Sequence, residues 1–126
     1  MHKSRLAGFI IDCQTEDLEG AATFWSRALG LEMARLDDPA EANYIALRNQ
    51  PGPLHVEVQK VSHRSRVHLD IEADDIEAEV KRLETLGARR ISDVRGWVVM
   101  EAPTGQRFCV VKAQRDNFSE LANTWR

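Results

Sequence analysis

Apolar residues recur along this chain with two different periods, and the change from one to the other marks out its elements. Phe9 to Cys13 is a short, mostly apolar run that predicts a strand. Asp17 then stands at an N-cap position ahead of Leu18, Ala22, Trp25 and Leu29, spaced i, i+4, i+7 and i+11 on one helical face, and Gly30 supplies the stop. Strands are predicted next over Glu32 to Leu36, Tyr44 to Leu47 and Leu54 to Val61. The same succession then recurs. Val67 to Ile71 reads as a strand, Asp74 or Asp75 as a cap, and Ile76, Val80, Leu83 and Leu86 as a helical face ended by Gly87. Glu77, Glu79, Lys81, Arg82 and Glu84 are assigned to the solvated side of that helix. Strands follow over Arg89 to Val94, Gly96 to Glu101 and Phe108 to Lys112. Turn-forming residues separate the runs at Asp37-Asp38-Pro39, Asn49-Gln50-Pro51-Gly52-Pro53 and Pro103-Thr104-Gly105-Gln106.

The recurrence is visible in the residues as well. At an offset of 58, Asp12 falls on Asp70, Asp17 on Asp75, Leu18 on Ile76, Glu19 on Glu77, Ala22 on Val80 and Trp25 on Leu83, with Gly30 one residue from Gly87. Each half therefore reads βαβββ: a first module over about 5–61, a second over about 65–113, and a tail over 114–126. The link Ser62-His63-Arg64-Ser65 is too short to separate domains, so one domain over 1–126 is expected. His63 in that link reads as a solvated residue.

A strand sends alternate side chains to opposite faces. In Val67 to Glu72, the apolar Val67, Leu69 and Ile71 are expected to face the helix, leaving His68, Asp70 and Glu72 on an open, polar face. In Leu54 to Gln59, Val56 and Val58 are expected inside, with His55, Glu57 and Gln59 on the open side. The acidic groups Glu57, Asp70 and Glu72 around His68 would suit a metal or a cationic ligand.

Composition narrows the classes of function. The chain has 126 residues, 43% apolar and 29% charged, with a formal net charge of -3, an ordinary globular balance. Its longest apolar runs, Gly8-Phe9-Ile10-Ile11 and Trp97-Val98-Val99-Met100, are far shorter than the roughly 20 residues of a membrane span. Seventeen basic residues against twenty acidic ones, with no basic block, argue against a nucleic-acid partner. Two cysteines 96 positions apart make no disulfide framework, and the first residues carry no apolar leader, so a reduced, cytoplasmic protein is expected. The partner left is a small molecule.

Three stretches together resemble the vicinal oxygen chelate superfamily, and within it the glyoxalase-like and bleomycin-resistance-like group. They are Asp12-Cys13 with Asp17-Leu18-Glu19, Phe24-Trp25 and Leu29-Gly30; Val67-His68-Leu69-Asp70 with Asp75 and Arg82 to Ala88; and Ala102 to Val111. The tail residues Phe118, Ala122-Asn123 and Trp125 resemble the ending of many small members. The resemblance implies an α+β fold in which two βαβββ modules form a cup-shaped mixed sheet, with helices on the outer face and a homodimer as the usual assembly. It also implies a divalent metal (Zn, Ni, Fe or Mn) held in catalytic members by a His, a Glu or Gln, a second His and a Glu. Carried over, His68 holds the second His position and Glu57 or Gln59 the Glu/Gln position, whereas Ile10 and Cys109 occupy the remaining two. Ile10 cannot coordinate, while a cysteine thiolate can bind zinc.

Two functions are expected from this set. One is lyase- or isomerase-like chemistry on a small oxygenated substrate, with His68 and Glu57 as the catalytic pair, or His68, Glu57 and Gln59 as metal ligands. In it His55, Gln59, Asp70, Trp97 and Cys109 contact the ligand. The alternative is non-catalytic binding of a small molecule of the antibiotic type, with Trp97, Tyr44 and Trp25 as stacking candidates. Trp25 also lies in register with the core stripe of its helix.

Overall fold

Strands and helices alternate as the periodicity predicts, in the order βαβββ twice, followed by a tail that is itself structured. A computed structural model describes residues 1–49 and 52–126. Gln50 and Pro51 of the turn expected at 49–53 lie outside the described residues. The first set of elements is β1 (His2–Gln14), α1 (Leu18–Leu29), β2 (Glu32–Arg35), β3 (Tyr44–Arg48) and β4 (His55–Val61). The second is β5 (Arg66–Ala73), α2 (Ile76–Thr85), β6 (Arg89–Val94), β7 (Trp97–Glu101) and β8 (Arg107–Lys112). The tail adds α3 (Phe118–Leu121) and β9 (Asn123–Trp125). Among the described residues no helix is long and apolar enough to cross a membrane.

Capping explains where the helices start and stop. The Asp17 carboxylate accepts from the Gly20 amide at 3.0 Å, and Gly30, at φ 69°, closes α1 in the left-handed conformation that a glycine adopts without cost. At α2 the cap is Asp75, which accepts from the Ala78 amide at 3.0 Å. Asp74 serves another purpose, accepting from the Lys3 amide at 2.8 Å. Asp37-Asp38-Pro39 leads into a short 3-10 turn, Pro39–Glu41, capped by Asp38.

The chain divides into two compact units, Gly8–His68 and Met1–Ala7 with Leu69–Arg126. In the first, β1 pairs parallel with β4, β3 pairs antiparallel with β4, and β2 antiparallel with β3. Helix α1 closes one side over a core of Leu18, Ala22, Leu31, Ile45, Leu47, Val56 and Val58, with Ile11, Cys13 and Trp25 packed against it. In the second, β5 pairs parallel with β8, β7 antiparallel with β8, and β6 antiparallel with β7. Its core joins Val80 and Leu83 of α2 to Ala73, Val98, Met100, Phe108 and Val110. Each fully covered aliphatic side chain, such as Val58 or Val80, contributes roughly 1.5–3 kcal/mol through burial.

The tail corrects the reading of the N-terminus. The apolar run predicted a strand over Phe9 to Cys13 only, yet β1 begins at His2, because β9 pairs antiparallel with it, His2 opposite Trp125 and Ser4 opposite Asn123. Residues with no apolar alternation are held extended there by a partner strand from far along the sequence.

Three further expectations are overturned. Leu29 and Leu86, placed on the helical core stripes, are 48% and 65% exposed, since each sits at a helix end where the sheet no longer covers it. Glu79, placed on the solvated face of α2, is 0% exposed. It is neutralised inside by Arg82, which reaches it at 2.8 and 2.9 Å, and by hydrogen bonds from His2 and the Ser4 hydroxyl, both at 2.8 Å. Finally, β5 has its polar side buried and part of its apolar side exposed. Val67 and Leu69 are exposed, and only Ile71 packs with the α2 core. His68, Asp70 and Glu72 are covered instead, because polar partners satisfy them: Asp12 for His68, and Arg5 for Glu72.

Candidate functional site

In the Gly8–His68 unit, α1 takes one face of the strands and polar groups gather on the other. Neighbours in register project to the same side of a sheet. Asp12 lies beside Gln59, which lies opposite Tyr44, and Ile10 lies beside Glu57, which lies opposite Ala46. Gly8 lies beside His55. Val56 and Val58 turn into the α1 core as expected, so His55, Glu57 and Gln59 share the face away from the helix. The register also settles which of Glu57 and Gln59 adjoins Ile10: it is Glu57. Glycine is needed at position 8, because a Cβ there would stand 2.7 Å from Cδ2 of His55 and 2.1 Å from its carbonyl oxygen.

The centre of this face is Asp12, whose side chain is 2% exposed. The Nδ1 of His68 donates to its Oδ2 at 2.8 Å. Arg66 Nε stands 3.7 Å and His63 Nε2 4.0 Å from the same oxygen. Arg66 in turn donates to His63 Nε2 at 3.3 Å, while His63 Nδ1 donates to the Arg64 carbonyl at 2.8 Å. The connecting loop is fastened to the end of β1, where the Gln14 amide donates to the Ser65 hydroxyl at 2.9 Å and the Gln14 side chain to the Ser62 carbonyl at 3.0 Å. Bonding at Nδ1 fixes the ring and tautomer of His68 and makes Nε2 the nitrogen that faces away from Asp12. A carboxylate-held imidazole of this kind suits proton transfer, and equally suits metal ligation.

Burial pushes the neighbouring Cys13 thiol up from its usual value, a contact with Trp25 opposes this, and the Asp12 charge adds to it. Cys13 therefore remains a thiol packed against the α1 core.

The remaining expected site residues lie in the other unit. Asp70 stands opposite Cys109 in the β5–β8 register, with a carboxylate oxygen and the thiol sulfur within 4.8 Å. Cys109 is itself opposite Val99 on β7, and alternation puts Trp97 on the Val99 side, away from the α2 core that Val98 and Met100 enter. Glu72, read as part of an open acidic face, is buried and bonded to Arg5 at 3.1 Å, so it offers no uncompensated charge. In α2, burial raises the Glu79 carboxyl, but the hydrogen bonds from Arg82, His2 and Ser4 and the charge of Arg82 outweigh it and hold the group below the ordinary carboxylate value.

The metal set implied by the resemblance meets two obstacles in these residues. Ile10, 2% exposed, puts a hydrocarbon beside Glu57, and Cys109 puts a thiol where the final carboxylate belongs. The residues present do not fit a metal held in the usual four-position way.

Asp12 and Arg66 were not among the residues expected to form the site. The signal for Asp12 was there: it is the polar member of an otherwise apolar strand, and it matches Asp70 across the repeat. Arg66 gave no signal of its own, because a single arginine at the start of a strand is ordinary.

Comparison with known proteins agrees with this architecture. The family described as Glyoxalase-like domain matches residues 8–111. No curated protein matches the sequence. Among solved structures, a methylmalonyl-CoA epimerase from Mycobacterium tuberculosis is similar, with a TM-score of 0.63 at 13% identity over 87% of this chain and 88% of that one. A hypothetical protein from Bacillus halodurans gives a TM-score of 0.60 at 16% identity, over 90% of this chain and 99% of that one. A Streptomyces coelicolor methylmalonyl-CoA epimerase in complex with 2-nitronate-propionyl-CoA gives 0.56 at 15% identity, over 86% and 98%.

Proposed function

The chain belongs to the family of glyoxalase-like domains, and on that premise we propose that it binds a small oxygenated molecule on the polar face of its sheet and moves a proton on it, as an isomerase or lyase does. The observation that carries this reading is the hydrogen bond from His68 Nδ1 to the buried Asp12 carboxylate at 2.8 Å. An imidazole so oriented takes a proton from a carbon next to a carbonyl: the C–H bond breaks, the proton passes to nitrogen, and the electron pair moves into an enolate. Return of a proton to the opposite face of that carbon, or to the neighbouring carbon, completes an isomerisation. Glu57 is the partner acid or base, and His55 and Gln59 contact the ligand. Modules 5–61 and 65–113 and the tail 114–126 act in this reading as one domain, and the homodimer implied by the family belongs to it.

The likeness to methylmalonyl-CoA epimerases, at identities that carry the fold alone, supplies a substrate to try. Methylmalonyl-CoA is incubated with the protein in D2O, and loss of its α-proton signal is followed by NMR. Exchange that is abolished in His68→Gln and reduced in Glu57→Gln supports the reading. Absence of exchange from the wild type, with binding of the thioester retained, overturns it in favour of a binding protein.

A further inference from the structure

Asp12 has a second oxygen that the proton-transfer reading does not use. While Oδ2 is engaged by His68, Oδ1 is buried and has no hydrogen-bond partner among the described residues. A buried carboxylate oxygen left in this state is costly, so it calls for a donor. The oxygen belongs to the same face as Gln59 and Tyr44, since Asp12, Gln59 and Tyr44 follow one another in register.

Charge decides what kind of donor it accepts from. The cluster holds one carboxylate, one guanidinium and two imidazoles, so it is neutral with both imidazoles uncharged and positive with either protonated. A cation or metal at Oδ1 would be set against Arg66, whose Nε is 3.7 Å from the same carboxylate. A neutral hydroxyl meets no such opposition. Arg66 is the exposed cation of the cluster, its side chain 44% accessible, and its guanidinium is the donor beside Asp12 that suits an anion.

We propose that Asp12 Oδ1 accepts a hydrogen bond from a hydroxyl of the bound molecule while Arg66 holds an anionic group beside it, so that the site selects small hydroxylated anions. The proposal rests on reading this face as the ligand face, but not on any proton being transferred there.

The test is calorimetric titration of the full chain with lactate, propionate and ethanolamine. Lactate binds about tenfold tighter than propionate, the size of one hydrogen bond to a charged group, and ethanolamine fails to compete. Asp12→Asn brings the lactate to propionate affinity ratio down to about one, and Arg66→Gln weakens both carboxylates alike. Equal affinity for lactate and propionate, preference for ethanolamine, no binding of either carboxylate, or an Asp12→Asn variant indistinguishable from wild type overturns the proposal. The last of these results would leave Oδ1 as the seat of a water only. Should Asp12→Asn lose its circular dichroism, the wild-type lactate to propionate ratio and the exposed Arg66→Gln variant decide. Failure of deuterium exchange with the lactate preference intact removes the catalytic reading and leaves this one standing; exchange without the preference does the reverse.

Discussion

Asp12 Oδ2 and His68 Nδ1 lie 2.8 Å apart although 56 positions separate them in the chain. Asp12 is buried at 2% exposure and His68 largely covered at 12%, so the bond is partly shielded from solvent and either partner left alone is poorly solvated. A double-mutant cycle of Asp12→Ala and His68→Ala, read by urea unfolding, is expected to return a coupling of about 1–3 kcal/mol. A coupling indistinguishable from zero would remove this pair as the organising contact of the site.

Glu79 gives a prediction with a defined dependence on pH. Its folded-state carboxyl is held below the ordinary carboxylate value, the donors outweighing its burial. A depressed value means that the stabilisation is fully present above the unfolded-state value and is lost as pH falls through the folded-state one. His2, Ser4 and Arg82 are the groups that face it. Glu79→Gln is therefore expected to cost about 3 kcal/mol at neutral pH and to flatten the loss of stability that the wild type shows below about pH 4.5. Urea midpoints measured across that range check both parts; parallel curves for the two proteins would contradict the sign.

Gly8→Ala tests the close approach of β1 to β4. The added carbon has no room beside the His55 carbonyl, which belongs to the backbone and cannot rotate away. A loss of about 1–3 kcal/mol is expected from overpacking, together with displaced His55 imidazole signals in NMR. A neutral effect on the melting temperature would mean that the two strands separate more easily than the pairing of Gly8 with His55 implies.

Trp125 joins three elements. Its indole nitrogen donates to the Ser4 hydroxyl at 2.8 Å, and the Arg82 guanidinium carbon lies 3.8 Å from the ring centroid. Trp125→Ala removes a cation–π contact and a hydrogen bond at once, for an expected loss of roughly 2 kcal/mol. Amide exchange at His2 to Ser4 should quicken in the variant, since β9 is their pairing partner. Unchanged exchange there would show that β1 holds its first residues without the tail.

Periodicity was enough to find α1 and α2, because Leu18 and Ala22, like Val80 and Leu83, repeat on one face and are among the residues that become buried. It was also enough to place Val56 and Val58 inside. What alternation could not tell was which side of β5 would be covered. Burial of His68 and Glu72 depends on Asp12 and Arg5, and these lie more than fifty residues earlier in the sequence. Glu79 misled for the same reason: a charged residue on a helix reads as solvated until Ser4, His2 and Arg82 are seen around it. The tail strand was illegible because Asn123 to Trp125 has too few residues for any period to be expressed.

The unit that contains α2 is built from the two ends of the chain, Met1–Ala7 and Leu69–Arg126, whereas the other is a single continuous stretch, Gly8–His68. That division sets an order of events during synthesis. Once residue 68 has been made, β2, β3, β4 and residues 8–14 of β1 have the pairing partners that join them to one another, with short loops to close. The segment His2–Ser4 meets Asn123–Trp125 only after residues 5–122 have been made. Pairing the two closes a loop over residues 5–122, so the loop-entropy cost of adding β9 falls on the unit that contains α2.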